Sequence, residues 1–354
     1  MTGTMLLVGT AKGLFILRSK DRRNFDVEGP HHPGMEINHA ILDEHGRLFA
    51  TANSPWFGSR ISYSKDLGKS WVDPTTGPSF AAEGDLKLDR IWHIEPSLHD
   101  QEVVYAGVAP AALFRSEDGG VTWAEVTGLT NHPSRERWQP GAGGLCLHTV
   151  IEDPDNRDRA WIGISAVGVF RTDDGGGTWE TMNKGVRAEF QPDKYPEFGQ
   201  CVHDAVLASD GRLYQQNHCG VYRSDDAAES WQEITEGLPS DFGFPMAVHP
   251  REPDVAYVLP LKGAELRCPP EAKLRVFKTT DGGKSWTPKS DGLPQENAFM
   301  GIYREGMCVD RSDPVGIYFG TNTGHVYSSI DEGESWFRIT AELPPVYSVS
   351  ASTP

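Results

Sequence analysis

One eight-residue phrase, Ser/Thr-x-Asp-x-Gly-x-Ser/Thr-Trp, returns six times along this chain. It reads SKDLGKSW ending at Trp71, SEDGGVTW at Trp123, TDDGGGTW at Trp179, SDDAAESW at Trp231, TTDGGKSW at Trp286 and SIDEGESW at Trp336. The tryptophans stand 52, 56, 52, 55 and 50 residues apart. One signature per fifty or so residues implies a repeat architecture, and that constraint precedes every other. The phrase is a turn: its Asp accepts hydrogen bonds from backbone amides of the same turn, and its Gly supplies positive φ. The copy at Trp231 has Ala in the Gly position. The Trp is expected to open the next strand and bury its ring between neighbouring sheets.

The phrase resembles the Asp-box, or BNR repeat, of sialidase-like β-propellers. That resemblance implies a propeller with the boxes on the face away from the active site, so the box residues are read as structural. It does not imply one function, because a fold hosts many. Such boxes occur in glycosidases, in sortilin-type receptors and in non-enzymatic assembly factors.

Each repeat carries four strand signals, A to D from the axis outward. In blade two, A is Glu36–Asp43, B is Arg47–Ala52, C is Ser59–Ser64, and D starts at Ser70. Alternating apolar residues bounded by Gly, Pro and Asp repeat this grammar to blade seven. The N-terminus starts in mid-phrase: MLLVGT and GLFILRS match B and C, and a degenerate box follows at Ser19-Lys20-Asp21, with Phe25 in place of Trp. A spare strand, VYSVSAS from Val346, follows blade seven. The expectation is a single all-β domain over 1–354, a seven-bladed propeller of four-stranded blades. The C-terminal strand pairs with the N-terminal blade and removes the open edge.

A net charge of −17 argues against nucleic-acid or anionic-membrane partners. No run of eighteen apolar residues exists to span a bilayer. The start has no basic n-region, and five sparse cysteines fit reduced thiols, so a cytoplasmic location is expected.

Strand direction places the D–A connections and B–C turns on one face. The connections Pro74–Asp89, Gly128–Gly144 and Asn183–Gln200 are long, as functional loops are. The insertion KGAELRCPPEAK falls on the same side. Aligning the A strands as EINHAILD, RIWHIEPS, LCLHTVIE and QCVHDAVL puts His39, His93, His148 and His203 at one rung. Four imidazoles around a channel suit a divalent transition metal such as Zn, Fe, Cu or Ni. The arrangement is similar to that of carotenoid-cleaving oxygenases, which hold iron with four channel histidines. His218, in the B–C turn QQNHCG, is a fifth candidate ligand.

Glu95 lies two residues past His93, on the same strand face, and Glu36 lies near His39. These are the catalytic candidates. Glu36, Glu95 or Glu305 could also form the facing carboxylate pair of a glycosidase. Asp204 is expected between blades. Cys146 and Cys201, each two before a histidine, are read as small buried residues ahead of thiolate ligands. Arg135, Arg137, Trp138 and Trp56 are candidate substrate contacts on the rim, with a loop pinned by stacking as the alternative for the first three. The nearest match to a sialidase arginine phrase, Arg90-Ile91-Trp92, leads into His93. Together with the blade count, this argues against sialidase activity.

The leading expectation is a metal-dependent hydrolase, lyase or oxygenase acting on a small molecule or glycan through His39, His93, His148 and His203. A metal-free glycan-binding or glycoside-cleaving propeller is the first alternative. A scaffold resembling photosystem assembly factors is the second.

Overall fold

The computed structural model describes residues 3–82, 86–340 and 342–352. Seven antiparallel sheets follow one another along the chain. Their innermost strands pack side by side until Val346–Ser352 meets Ala40–Leu42 on one side and Met307–Val309 on the other. The molecule is a seven-bladed β-propeller.

Sheet order explains the closure. In blade one the order is Val346–Ser352, Thr4–Thr10, Gly13–Ser19, Asp26–His31. The C-terminal strand supplies the inner position that the N-terminus lacks, pairing Leu6 with Ala351 and Val8 with Val349. Blade two is the least regular. Its inner strand is only Ala40–Leu42, and its fourth strand is reduced to a bridge between Tyr63 and Val72.

The apolar core is divided like the ring. Seven buried clusters lie one at each blade interface among the described residues, for example Leu6, Val8, Tyr318, Val326, Val346 and Val349 between blades seven and one. Burial of apolar area between sheets, at roughly 25 cal/mol per Å², holds the blades together.

The turn phrase does what its residues dictate. Asp66 Oδ1 accepts from the Ser70 amide at 2.8 Å, its Oδ2 from the Ser70 hydroxyl at 2.6 Å, and Ser64 Oγ accepts from the Gly68 amide at 2.8 Å. The same bonds recur around Asp118, Asp174, Asp226, Asp281 and Asp331. In the exceptional copy Ala228 takes φ 72°, the left-handed conformation that Gly adopts elsewhere. Two of the tryptophans reach back to a backbone carbonyl of the preceding blade: Trp231 Nε1 donates to Met182 O and Trp286 Nε1 to Ile234 O, both at 2.8 Å. No described helix is long and apolar enough to cross a membrane. The five cysteines form no disulfide.

Candidate active site at the channel mouth

The inner strands are not regular where they enter the channel. In blade three Ile91 pairs with Val108 but His93 with Gly107, so Trp92 is an inserted residue. In blade four Leu147 pairs with Ile164 and Thr149 with Gly163, so the inserted residue is His148. In blade five Val202 pairs with Asn217 and Asp204 with Gln216, so it is His203. Such β-bulges turn the strand and re-aim the side chains on either side. His39, whose carbonyl accepts from the Thr51 amide beside the Ala40–Ala50 pair, matches His93. The position of His39 and His93 is therefore filled by Thr149 and Asp204 in the next two blades. The four histidines occupy two registers, not one rung, and the predicted quartet does not form.

His39 and His93 stack at 4.4 Å between ring centres. Glu305, reaching in from the entry to blade seven, lies 3.0 Å from His93 Nδ1 and 3.8 Å from His39 Nε2. Glu95 lies 3.3 Å from the other nitrogen of His93. The Ile94 amide donates to His39 Nδ1 at 3.4 Å, which leaves the proton of that ring on Nε2.

These contacts fix the charges. Burial would lower His93, but Glu305 and Glu95 outweigh it and hold the ring up at about 10. Burial and the His93 charge push His39 down to about 4. Burial would raise Glu305, but His93 and His39 bring it down to about 2. Burial lifts Glu95 above its ordinary value despite His93. Asp204 is pushed well up by burial and by the charge of Glu305, while its Oδ2 accepts from the Met246 amide at 2.9 Å. The channel mouth thus holds one imidazolium, one carboxylate fixed in the charged form, and two carboxyl groups that retain their protons more tightly.

The other pair of histidines faces elsewhere. His148 Nε2 donates to Val202 O at 3.1 Å, and its Nδ1 stands 3.0 Å from the Thr149 hydroxyl, so both nitrogens are engaged within the fold. Burial keeps this ring neutral. His203 Nδ1 donates to Gly243 O at 2.5 Å. It lines a side pocket with Cys201 and His218. Among the described residues, two sets of donor atoms come within 4.8 Å of one another, His39–His93–Glu305 and Cys201–His203–His218, and neither is the expected set.

The remaining candidates divide. Glu36 pairs with Arg90 at 3.1 Å. Trp138 is buried, donates to Ser134 Oγ at 2.8 Å and packs on Phe170. Arg135 lies over Trp138 and bonds the Ala111 carbonyl, and Arg137 lies over Phe198. These three side chains anchor their loop. Trp56 is 86% exposed at the tip of a blade-two turn, beside Phe57 at 81%. Phe190, Tyr195 and Phe299 are also exposed, in the connections entering blades five and seven. All the exposed aromatic rings among the described residues therefore stand on the channel-mouth face. Asp204, expected between blades, belongs to the channel register. Sequence reasoning did not single out Arg304, Arg267 or the phenylalanines of the side pocket. Arg304, next to Glu305 just before an inner strand, was the available signal.

No family model matches the chain. It is 25% identical over 273 residues to an oligoxyloglucan-reducing end-specific xyloglucanase of Emericella nidulans, covering 68% of this chain and 31% of that protein. It is 28% identical over 268 residues to a xyloglucanase of a Paenibacillus species, covering 66% and 24%. Among solved structures, the GH74 xyloglucanase from Xanthomonas campestris superposes with a TM-score of 0.67 at 16% identity, over 96% of this chain and 53% of that one. The chain thus spans about a third or less of the length of these two sequence relatives. The relatives are xyloglucanases rather than sialidases, and they overturn the expectation of a metal-dependent enzyme in favour of the metal-free glycoside-directed alternative. In fold the chain is similar to a GH74 xyloglucanase, and in sequence it is similar, over two thirds of its length, to enzymes named for cleaving xyloglucan.

Proposed function

We propose that this propeller is a glycoside hydrolase acting on a xyloglucan-type oligosaccharide, with carboxyl groups and no metal at its reacting centre. The observation that carries the reading is the similarity to xyloglucanases, joined to a channel mouth that gathers Glu305, held down by His93, and Asp204, raised by burial. Pairs of acids whose surroundings drive them apart mark acid–base assignments. Glycoside cleavage needs such a pair around an oxocarbenium-like transition state.

Asp204, raised by burial and by the charge of Glu305, donates a proton to the departing glycosidic oxygen. Glu305, held so low, is a poor base. Its role is electrostatic, a fixed negative charge facing the developing cation, which water then captures with its proton passing to the Asp204 carboxylate. His93 keeps Glu305 ionised from 3.0 Å. Trp56 and Phe57 offer sugar-stacking platforms above the channel. The six turn phrases are read as Asp-boxes of the sialidase-like kind; their carboxylates are spent on their own turns and take no part in the chemistry.

Reducing-end release from xyloglucan oligosaccharides tests the reading. Asp204→Asn and Glu305→Gln should each lower turnover by about 10²–10⁴-fold, while a chelator leaves it unchanged. No release from xyloglucan or from any other β-glucan by the wild-type protein overturns it.

A further inference from the structure

A second constellation lies beside the channel and shares no residue with the acid–base pair. Cys201, at the entry to blade five, and His218, in the turn between the second and third strands, are tied by the His218 amide donating to Cys201 O at 2.9 Å. His203 completes the group, and the sulfur and one nitrogen of each ring all lie within 4.8 Å of one another. The bond from His203 Nδ1 to Gly243 O leaves Nε2 as the lone-pair nitrogen. That is the logic of a nucleophile, a base and a group that orients the base.

The three side chains line a cavity of about 190 Å³. One wall is aromatic: Phe244 and Phe242 lie 4.5 and 5.2 Å from the His203 ring, and Phe190 lies 5.1 Å from His218. Arg267 and Arg304 also line it, stacked on Phe244 at 5.4 and 5.2 Å. Arg304 Nη2 donates to Ser165 Oγ at 3.3 Å and Arg267 Nε to Ala264 O at 2.8 Å. Neither guanidinium has a carboxylate partner among the described residues, in a chain with 50 acidic side chains against 33 basic ones. Arg304 Nε is buried without a hydrogen bond. Two such cations facing a small cavity make an anion-recognition site, and guanidinium groups suit a carboxylate.

We infer that Cys201 is a nucleophile, served by His203 and His218, in a pocket built for a small electrophile that carries a carboxylate. In the step, the thiol proton passes to His203 Nε2 and Sγ bonds to the electrophilic carbon. The leaving group departs with the electron pair of the broken bond. Burial pushes Cys146 up to about 11 and raises Cys219 and Cys308 as well.

Alkylation of the full-length protein at pH 6, mapped by peptide mass spectrometry, tests this with a probe of the inferred class. Iodoacetate should label Cys201 at least ~10-fold faster than Cys146, Cys219 or Cys308, as a low-pKa, accessible thiol requires. It should also react there faster than neutral iodoacetamide. Arg304→Gln, checked for folding by circular dichroism, should reverse that preference and still permit labelling. His203→Gln should slow both reagents. Equal labelling of all the cysteines overturns the inference. So does labelling of Cys201 that begins only after a chelator has removed a stoichiometric metal, which would make the same three side chains ligands.

Discussion

Deleting residues 346–354 should open the ring. The strand Val346–Ser352 pairs with Thr4–Thr10 at six positions, and its Val346 and Val349 are buried. Two fully buried valines are worth about 3–6 kcal/mol. The backbone bonds of six ladder pairs add about 3–9 kcal/mol net. The loss is comparable to the about 5–15 kcal/mol by which a whole domain is stable. The seam is also tight: a Cβ at Gly320 would sit 2.3 Å from Val346 Cγ1, and one at Gly9 would sit 2.3 Å from Ser348 Oγ. No bulkier strand slides in as a substitute. Urea unfolding followed by tryptophan fluorescence should show the truncated chain unfolded or non-cooperative without denaturant. A synthetic peptide of residues 345–354 should restore a cooperative transition. A truncated protein with the full-length midpoint would refute the reasoning, because the strand would then contribute nothing to closure.

Two further outcomes follow from the channel mouth. Stability should peak near pH 6.5. The raised His93 contributes stability that is complete below its unfolded value of 6.5 and is lost as pH climbs through about 10. Raised Glu95 and Asp204 also favour the lower pH. Below 6.5 the buried neutral rings of His39, His148 and His203, all lowered, cost stability because the unfolded chain takes up their protons first. Urea midpoints at pH 4.5, 6.5 and 9 check this, and a steady rise from 6.5 to 9 contradicts it. Trp56→Ala should leave stability within about 0.5 kcal/mol and weaken oligosaccharide binding by about 2–12-fold, the worth of one stacked ring. Calorimetric titration reads it, and unchanged affinity removes Trp56 from the binding face.

The candidate site was only partly legible. His39 and His93 were found by aligning the inner strands, and Glu95 from strand alternation, because within one regular strand residues two apart share a face. His148 and His203 were misplaced because each is the inserted residue of a bulge, and a bulge leaves no mark on apolar alternation while it shifts every equivalence by one. The same shift hid Asp204, whose place opposite Gln216 puts it in the His93 register. Glu305 could be named as a carboxylate, but its bond to His93 joins residues 212 positions apart and depends on the ring closing.

The repeat period, the turn chemistry, the count of seven blades and the strand that closes them were all determined by the sequence. Each is encoded locally, by an Asp and a Gly in one turn or by alternation along one strand. Which side chains meet at the axis, and with what charge, was decided only by the tertiary structure. Convergence there depends on strand register, and protonation depends on burial among groups brought from five different blades.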